Sequence, residues 1–216
     1  MLHQPFLKCG EKMIVTSIEQ QKKDPDKYNV FVDGEFAFSL YMQDILFFKI
    51  KENCEIAEER YNYIINEVVY IKAQDKALNF LGYKMRTEKE MRDKLETYDY
   101  SEGVIERVME FLLKYGYVDD FKYALSYIRQ TQRLKPMGRL GIKMKLREYG
   151  VDDETIENAI LESDIDEVED AYNLLMKKIG MKEEVNDKEK KKYHDFLLRR
   201  GYSYDIIKDV FKRAEI

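Results

Sequence analysis

Arg139, Lys143 and Arg147 recur every fourth residue in RLKPMGRLGIKMKLREYG (133–150). Side chains four apart lie on one helix face, so these three form a cationic ridge. Guanidinium and ammonium groups in a row suit two partners: phosphates along a nucleic-acid backbone, or carboxylates on an acidic protein. Arg133, Lys135 and Lys145 add cations around the ridge, and Arg86 and Arg92 supply more upstream. The same stretch carries Ile142, Leu146 and Tyr149 at i, i+4 and i+7, an apolar seam on another face. Gly150 reads as the stop signal. The seam is expected to be fold, and the ridge is the candidate for function.

Nothing in the chain suggests catalysis. Two cysteines (Cys9, Cys54) and two histidines (His3, His194) stand too far apart for a metal-ligand spacing or a disulfide framework. Asp119-Asp120 and Asp152-Asp153-Glu154 read as helix N-caps and first-turn charge rather than metal ligands. The acidic stretch 162–170 lacks a calcium-loop pattern. There is no Gly-rich phosphate loop, Ser/His/Asp order or activated Cys. The expectation is a protein without enzymatic activity, cofactor or metal. No apolar run approaches the roughly 20 residues of a membrane span, and the N-terminus lacks a signal-peptide core. A cytoplasmic setting is expected by elimination.

The net charge of −5 conceals segregation. Residues 126–150 carry seven cations against one acid. Residues 151–170 carry ten acids and no Lys or Arg, and residues 171–216 carry twelve cations against eight acids. The ridge therefore sits beside a strongly acidic run, so its cations face a choice between that run and an external partner.

The elements that position these residues follow from periodicity. Residues 1–12 show none and are expected to be a disordered tail or an upstream start before a natural Met13. Ile14–Ile18, Tyr28–Val32 and Glu35–Leu40 alternate as strands, the last two around Asp33-Gly34, a type I′ hairpin signal. Tyr41–Phe48 is expected to cover the sheet as a short helix, and Lys51–Ile56 reads as a further strand or a loop. From about Ala57 the period becomes helical, with Tyr61, Ile64, Ile65, Val68 and Ile71 or Lys72 on one stripe.

An internal repeat organises the rest. Ala77, Ala124 and Ala171 are 47 apart. Met91, Ile142 and Tyr193 are 51 apart, as are Leu95, Leu146 and Leu197. Asp99, Gly150 and Gly201 fall at turns, and Ser101, Asp152 and Ser203 fall where an N-cap is wanted. The reading is mainly α: three tandem three-helix repeats behind a small antiparallel β-sheet domain. The boundaries are 1–12 for the tail, 13–58 for the β-rich domain, then 59–123, 124–165 and 166–216 for the repeats. The seam is Met91, Leu95, Ile142, Leu146, Tyr193 and Leu197. Ridge positions match Glu88, Arg92 and Glu96 in the first copy and Lys190, His194 and Leu198 in the third, so only the middle copy is cationic throughout.

The stretch AQDKALNFLGYKMRTEKEMRDKLETYDYSEGVIERVMEFLLKYGYVDDFKYALSYI resembles the RecX family of bacterial recombinase regulators. The resemblance rests on Arg86-Thr87-Glu88-Lys89-Glu90-Met91…Leu95, on Gly116-Tyr117-Val118-Asp119-Asp120…Ala124, and on GRLGIKMKLREYGVDDETIENAI. Phe196–Ser203 is similar to its third repeat, and the β-rich front to the extension of Gram-positive members. Thr87 stands where a Ser is familiar and keeps the capping hydroxyl. The resemblance implies an elongated, curved, monomeric array that binds the groove of the RecA–DNA filament and inhibits ATP hydrolysis, strand exchange and co-protease activity. It implies RecA as partner, with single- or double-stranded DNA in the filament context, and no membrane. Contact candidates are Arg86, Arg92, Arg133, Lys135, Arg139, Lys143, Lys145 and Arg147. The alternative is a free-standing nucleic-acid-binding helical protein that uses the ridge.

Overall fold

The computed structural model describes residues 13–180 and 184–216, so the tail expected over 1–12 lies outside the described residues. The chain divides into two compact units. One holds the described residues up to Lys84 together with Met91–Tyr117; the other holds Met85–Glu90 and Val118–Ile216.

The first unit begins with β1 (Met13–Gln20), β2 (Lys27–Val32) and β3 (Glu35–Tyr41), joined by β4 (Cys54–Ile56). They form an antiparallel sheet in the order β3-β2-β1-β4. The segment left open as strand or loop is therefore a strand at its end. Asp33 and Gly34 have φ of 52° and 86°, the two positive values a type I′ turn requires. Val30 pairs with Phe38 but Phe31 with Phe36, so Ala37 is an extra, bulged residue. Alternation breaks there, and Ala37 through Leu40 are all buried. The helix expected to cover the sheet is α1 (Met42–Phe47), but only Ile45 is buried in it.

Next come α2 (Glu58–Tyr63), a π-helical segment (Ile64–Val69) and α3 (Tyr70–Leu81). The π turn corrects the expected stripe. Its i→i+5 bonding adds a residue to the turn, so the buried positions run Ile64, Val69, Ala73, Ala77, while Ile71 is exposed. A strict 3.6 period had placed Val68 and Ile71 inward. The helices α4 (Glu88–Glu96) and α5 (Glu102–Lys114) follow, with α5 against α3.

The second unit holds α6 (Asp120–Leu134), α7 (Arg139–Glu148), α8 (Asp153–Glu162), α9 (Glu167–Ile179), α10 (Asp187–Arg199) and α11 (Tyr204–Arg213). Here α6 packs on α8 and α9 on α11, as α5 does on α3. The seam residues Met91, Leu95, Ile142, Leu146, Tyr193 and Leu197 are all buried. Tyr149 is only half-buried, and its ring lies edge-on to Tyr123 and Tyr127. Asp99, Gly150 and Gly201 have φ of 57°, 87° and 78°, the left-handed turn that ends the middle helix of each copy. Asp152 and Ser203 cap the next helix by accepting from Thr155 N–H and Ile206 N–H. Ser101 holds the N-cap position without a side-chain bond.

Within this unit one joint occurs twice, at positions 51 apart. Thr87 Oγ1 donates to the Tyr149 carbonyl at 2.6 Å, and Gly138 N–H donates to the Arg200 carbonyl at 3.0 Å. Thr87 also accepts from Glu90 N–H, while Glu90 accepts from Thr87 N–H: a capping box at the start of α4. At the second joint the backbones meet without side chains between them. A Cβ on Gly201 would stand 2.1 Å from the Gly141 nitrogen, so no larger residue fits.

Tyr202 lies beside this joint, 1% exposed, with a hydroxyl that finds no hydrogen-bond partner among the described residues. Burial pushes its pKa well above the ordinary phenol value. Because an orphaned buried hydroxyl costs about 1–3 kcal/mol, Tyr202→Phe is expected to stabilise the protein by about 1 kcal/mol in urea titrations.

Candidate partner-binding surface

The ridge lies on α7 as the spacing required, but its cations are occupied. Arg139 holds Glu167 twice: its backbone N–H donates to Oε1 at 2.8 Å, and Nε lies 3.3 Å from Oε2. Lys143 pairs with Glu157, and Arg147 Nε donates to Asp153 at 2.6 Å. Lys145, off the ridge, pairs with Glu148 at 2.7 Å. The three ridge partners all come from the acidic run 151–170, on α8 and the first turn of α9. The charge segregation of the sequence is thus closed on itself at this face. Exposed pairs of this kind contribute about 0–1 kcal/mol each. Their main effect is to leave the ridge nearly neutral toward any external anion.

The upstream candidates are paired as well. Arg92 grips Glu106 with both terminal nitrogens, a fork that matches a carboxylate. Arg86 meets Glu90 one helical turn away at 3.2 Å. Asp119 and Asp120 separate into two roles. Asp119 caps α6 by accepting from Lys122 N–H, which holds its carboxyl below the usual range. Asp120 accepts from Glu88 N–H, while burial raises its carboxyl above that range. His194 stands half-buried against Tyr204 and Phe211.

Two of the eight candidates differ. Arg133 and Lys135 are exposed, and neither meets a carboxylate among the described residues. Both line a cavity of about 630 Å³ bounded by the end of α6, by α9 and by α10. Lys177, Lys178, Arg200 and Phe196 share its wall, with Asp170 the single acid among the lining residues. Burial raises the Asp170 carboxyl, and Asp166, Glu169 and Glu167 push it the same way. Lys178 and Arg200 sit over the Phe196 ring at 5.4 and 5.0 Å, and Arg200 also donates to the Pro136 carbonyl. Leu134 projects beside them, 61% exposed. Arg133 continues onto the outer face of α6, where Lys122, Ser126 and Arg129 line a second depression. Sequence reasoning missed Arg129, Lys177, Lys178 and Arg200. The usable signal was the pair Lys177-Lys178, which follows Leu174-Leu175 off the seam.

Fold and surface together define a protein of tandem three-helix domains behind a small β-sheet, with a cationic surface between the last two domains. Four family profiles match the chain: Regulatory protein RecX N-terminal domain over residues 13–57, and RecX first, second and third three-helix domains over 73–112, 119–160 and 164–211. Regulatory protein RecX of Clostridioides difficile strain 630 is 36% identical over 205 residues, covering 93% of this chain and 95% of that protein. Its namesake in Clostridium acetobutylicum is 35% identical over 208 residues, covering 94% and 96%. A crystal structure of regulatory protein RecX superposes with a TM-score of 0.64 at 25% identity, covering 93% of this chain and 99% of that one. The crystal structure of RecX from Lactobacillus salivarius gives 0.62 at 32% identity, covering 68% and 96%. The chain belongs to the RecX family of regulatory proteins.

Proposed function

We propose that this protein is a negative modulator of the RecA recombinase, which binds the groove of the RecA–DNA filament and lowers its ATPase, strand-exchange and co-protease activities. It acts by binding, as a cytoplasmic monomer, without catalysis of its own. Family membership supports the regulatory role, and the resemblance names the partner. The observation that carries the contact surface is that Arg133, Lys135 and Lys177 meet no carboxylate among the described residues and lie beside exposed Leu134. Uncommitted cations around an apolar residue suit an acidic protein surface or filament phosphates, because they gain a partner without first losing one. Repeated weak contacts along a polymer add avidity.

The ridge is demoted by the same reasoning. A partner that engaged Arg139, Lys143 and Arg147 would first have to displace Glu167, Glu157 and Asp153. This weakens the second reading, a free-standing nucleic-acid binder working through the ridge. The test is RecA-catalysed ATP hydrolysis on single-stranded DNA with the purified protein added, paired with co-sedimentation on filaments. Dose-dependent inhibition with co-sedimentation is expected. Absence of both defeats the proposal, and binding to bare DNA at physiological salt, indifferent to RecA, favours the second reading.

A further inference from the structure

The first unit contains a cavity of about 500 Å³ between the sheet, α3 and the turn that follows α4. The contact surface proposed above makes no use of it. Three tyrosines wall it, and three of its four lining lysines lie over those rings, Lys23 being the fourth. Lys27 Nζ lies 5.2 Å from the Tyr100 ring centre, Lys72 5.4 Å from Tyr41, and Lys76 5.7 Å from Tyr98. Each ammonium rests over a ring, as cation–π pairs do.

Their other commitments differ. Lys72 pairs with Asp44, and Lys27 donates to the Tyr98 carbonyl. Lys76 is exposed and meets no carboxylate among the described residues. The floor is already satisfied: Ser39 donates to Asn29, and Gln21 donates to both. At the rim Asn79 stands exposed beside Asp75 and Asp99, while the exposed Thr97 donates its hydroxyl to the Lys94 carbonyl at 2.7 Å.

This lining is selective. A bare polyanion would be opposed by Asp24, Asp75 and Asp99, and an apolar ligand would strip water from the lysines without replacing it. A molecule with an anionic end, a flat aromatic body and amino or hydroxyl donors satisfies all three kinds of wall. The volume lies within the ordinary range for small-molecule pockets, about 300–1,000 Å³. We propose that the cavity walled by Tyr41, Tyr98 and Tyr100 and entered by Lys27, Lys72 and Lys76 binds a nucleoside phosphate, either free or as one unit of a single strand. The phosphate draws an ammonium off its ring, the base takes the vacated face, and the carboxylates accept from base and sugar. Burial already lowers the pKa of Lys27 against the pull of Asp99 and Asp24, so that ammonium gains from an added anion. Single-strand binders use such rings as stacking platforms for bases.

Equilibrium dialysis of the full chain with labelled ADP, with a short oligothymidylate and with pyrophosphate tests this. Saturable ADP binding in the range of about 10 μM to 1 mM is expected, with pyrophosphate about tenfold weaker. Lys76→Glu and Tyr98→Leu should each weaken it by about tenfold, while Lys51→Glu, an exposed lysine outside the cavity, leaves it within about twofold. Lys76-sensitive binding of the oligonucleotide but not of ADP assigns the site to a strand, and the reverse assigns it to a free nucleotide. Four results overturn the proposal: no binding of either ligand up to about 5 mM, pyrophosphate binding as well as ADP, equal loss in Lys51→Glu, or no loss in Lys76→Glu and Tyr98→Leu variants that melt like the parent.

Discussion

Leu146→Asp is expected to unfold the middle three-helix domain. Leu146 is fully buried among Ile128, Ile142, Ile156, Ala159 and Ile160. Truncating such a leucine costs about 2–5 kcal/mol, and a carboxylate in its place adds the cost of an unpaired buried charge. The total rivals the whole stability of a small domain, about 5–15 kcal/mol. The loss should appear as a reduced helical circular-dichroism signal at 25 °C and as proteolytic cleavage between residues 118 and 165. Met144→Asp is the control, two positions away on the same helix and 56% exposed. It should shift stability by no more than about 1 kcal/mol. A parent-like melt for Leu146→Asp would refute the seam.

That seam was legible because burial on a helix has a fixed period and the repeat displays it three times. Comparing copies also located Asp99, Gly150 and Gly201, since a left-handed turn selects glycine or a short polar residue. The π turn at Ile64–Val69 was not legible. Ile, Asn, Glu and Val are compatible with an ordinary helix, and nothing in their order announces an i→i+5 bond. The same limit hid the bulge at Ala37, where alternation of Phe36 and Phe38 reads as continuous strand. For the candidate surface, the positions of Arg139, Lys143 and Arg147 were readable but their occupancy was not. The acidic run showed that carboxylates were near in sequence. Only the packing of α7 against α8, with the first turn of α9 beside them, decides which oxygen meets which cation. Lys177 and Arg200 join Arg133 through contacts far apart in the chain, which no local pattern reports.

Reversing Arg133 and Lys177 together, Arg133→Glu with Lys177→Glu, is expected to weaken inhibition of the RecA ATPase far more than reversing Arg139 and Lys143. The first two side chains are exposed and have no carboxylate to lose among the described residues, so their reversal is expected to leave internal pairing intact and the melting temperature within a few degrees. At an interface the two changes replace attraction by repulsion, and about 2–4 kcal/mol of lost binding raises the half-inhibitory concentration by about 30- to 1,000-fold. Reversal of Arg139 and Lys143 sets new carboxylates against Glu167 and Glu157. It should cost stability that added salt restores, while inhibition by the folded fraction changes by less than about threefold. The readouts are the inhibition curve and the melt, each at low and at physiological salt. If the ridge pair proves the more damaging to inhibition while both variants remain folded, the partner displaces the ridge's own carboxylates. The contact surface then belongs to α7 rather than to the cavity between α6, α9 and α10.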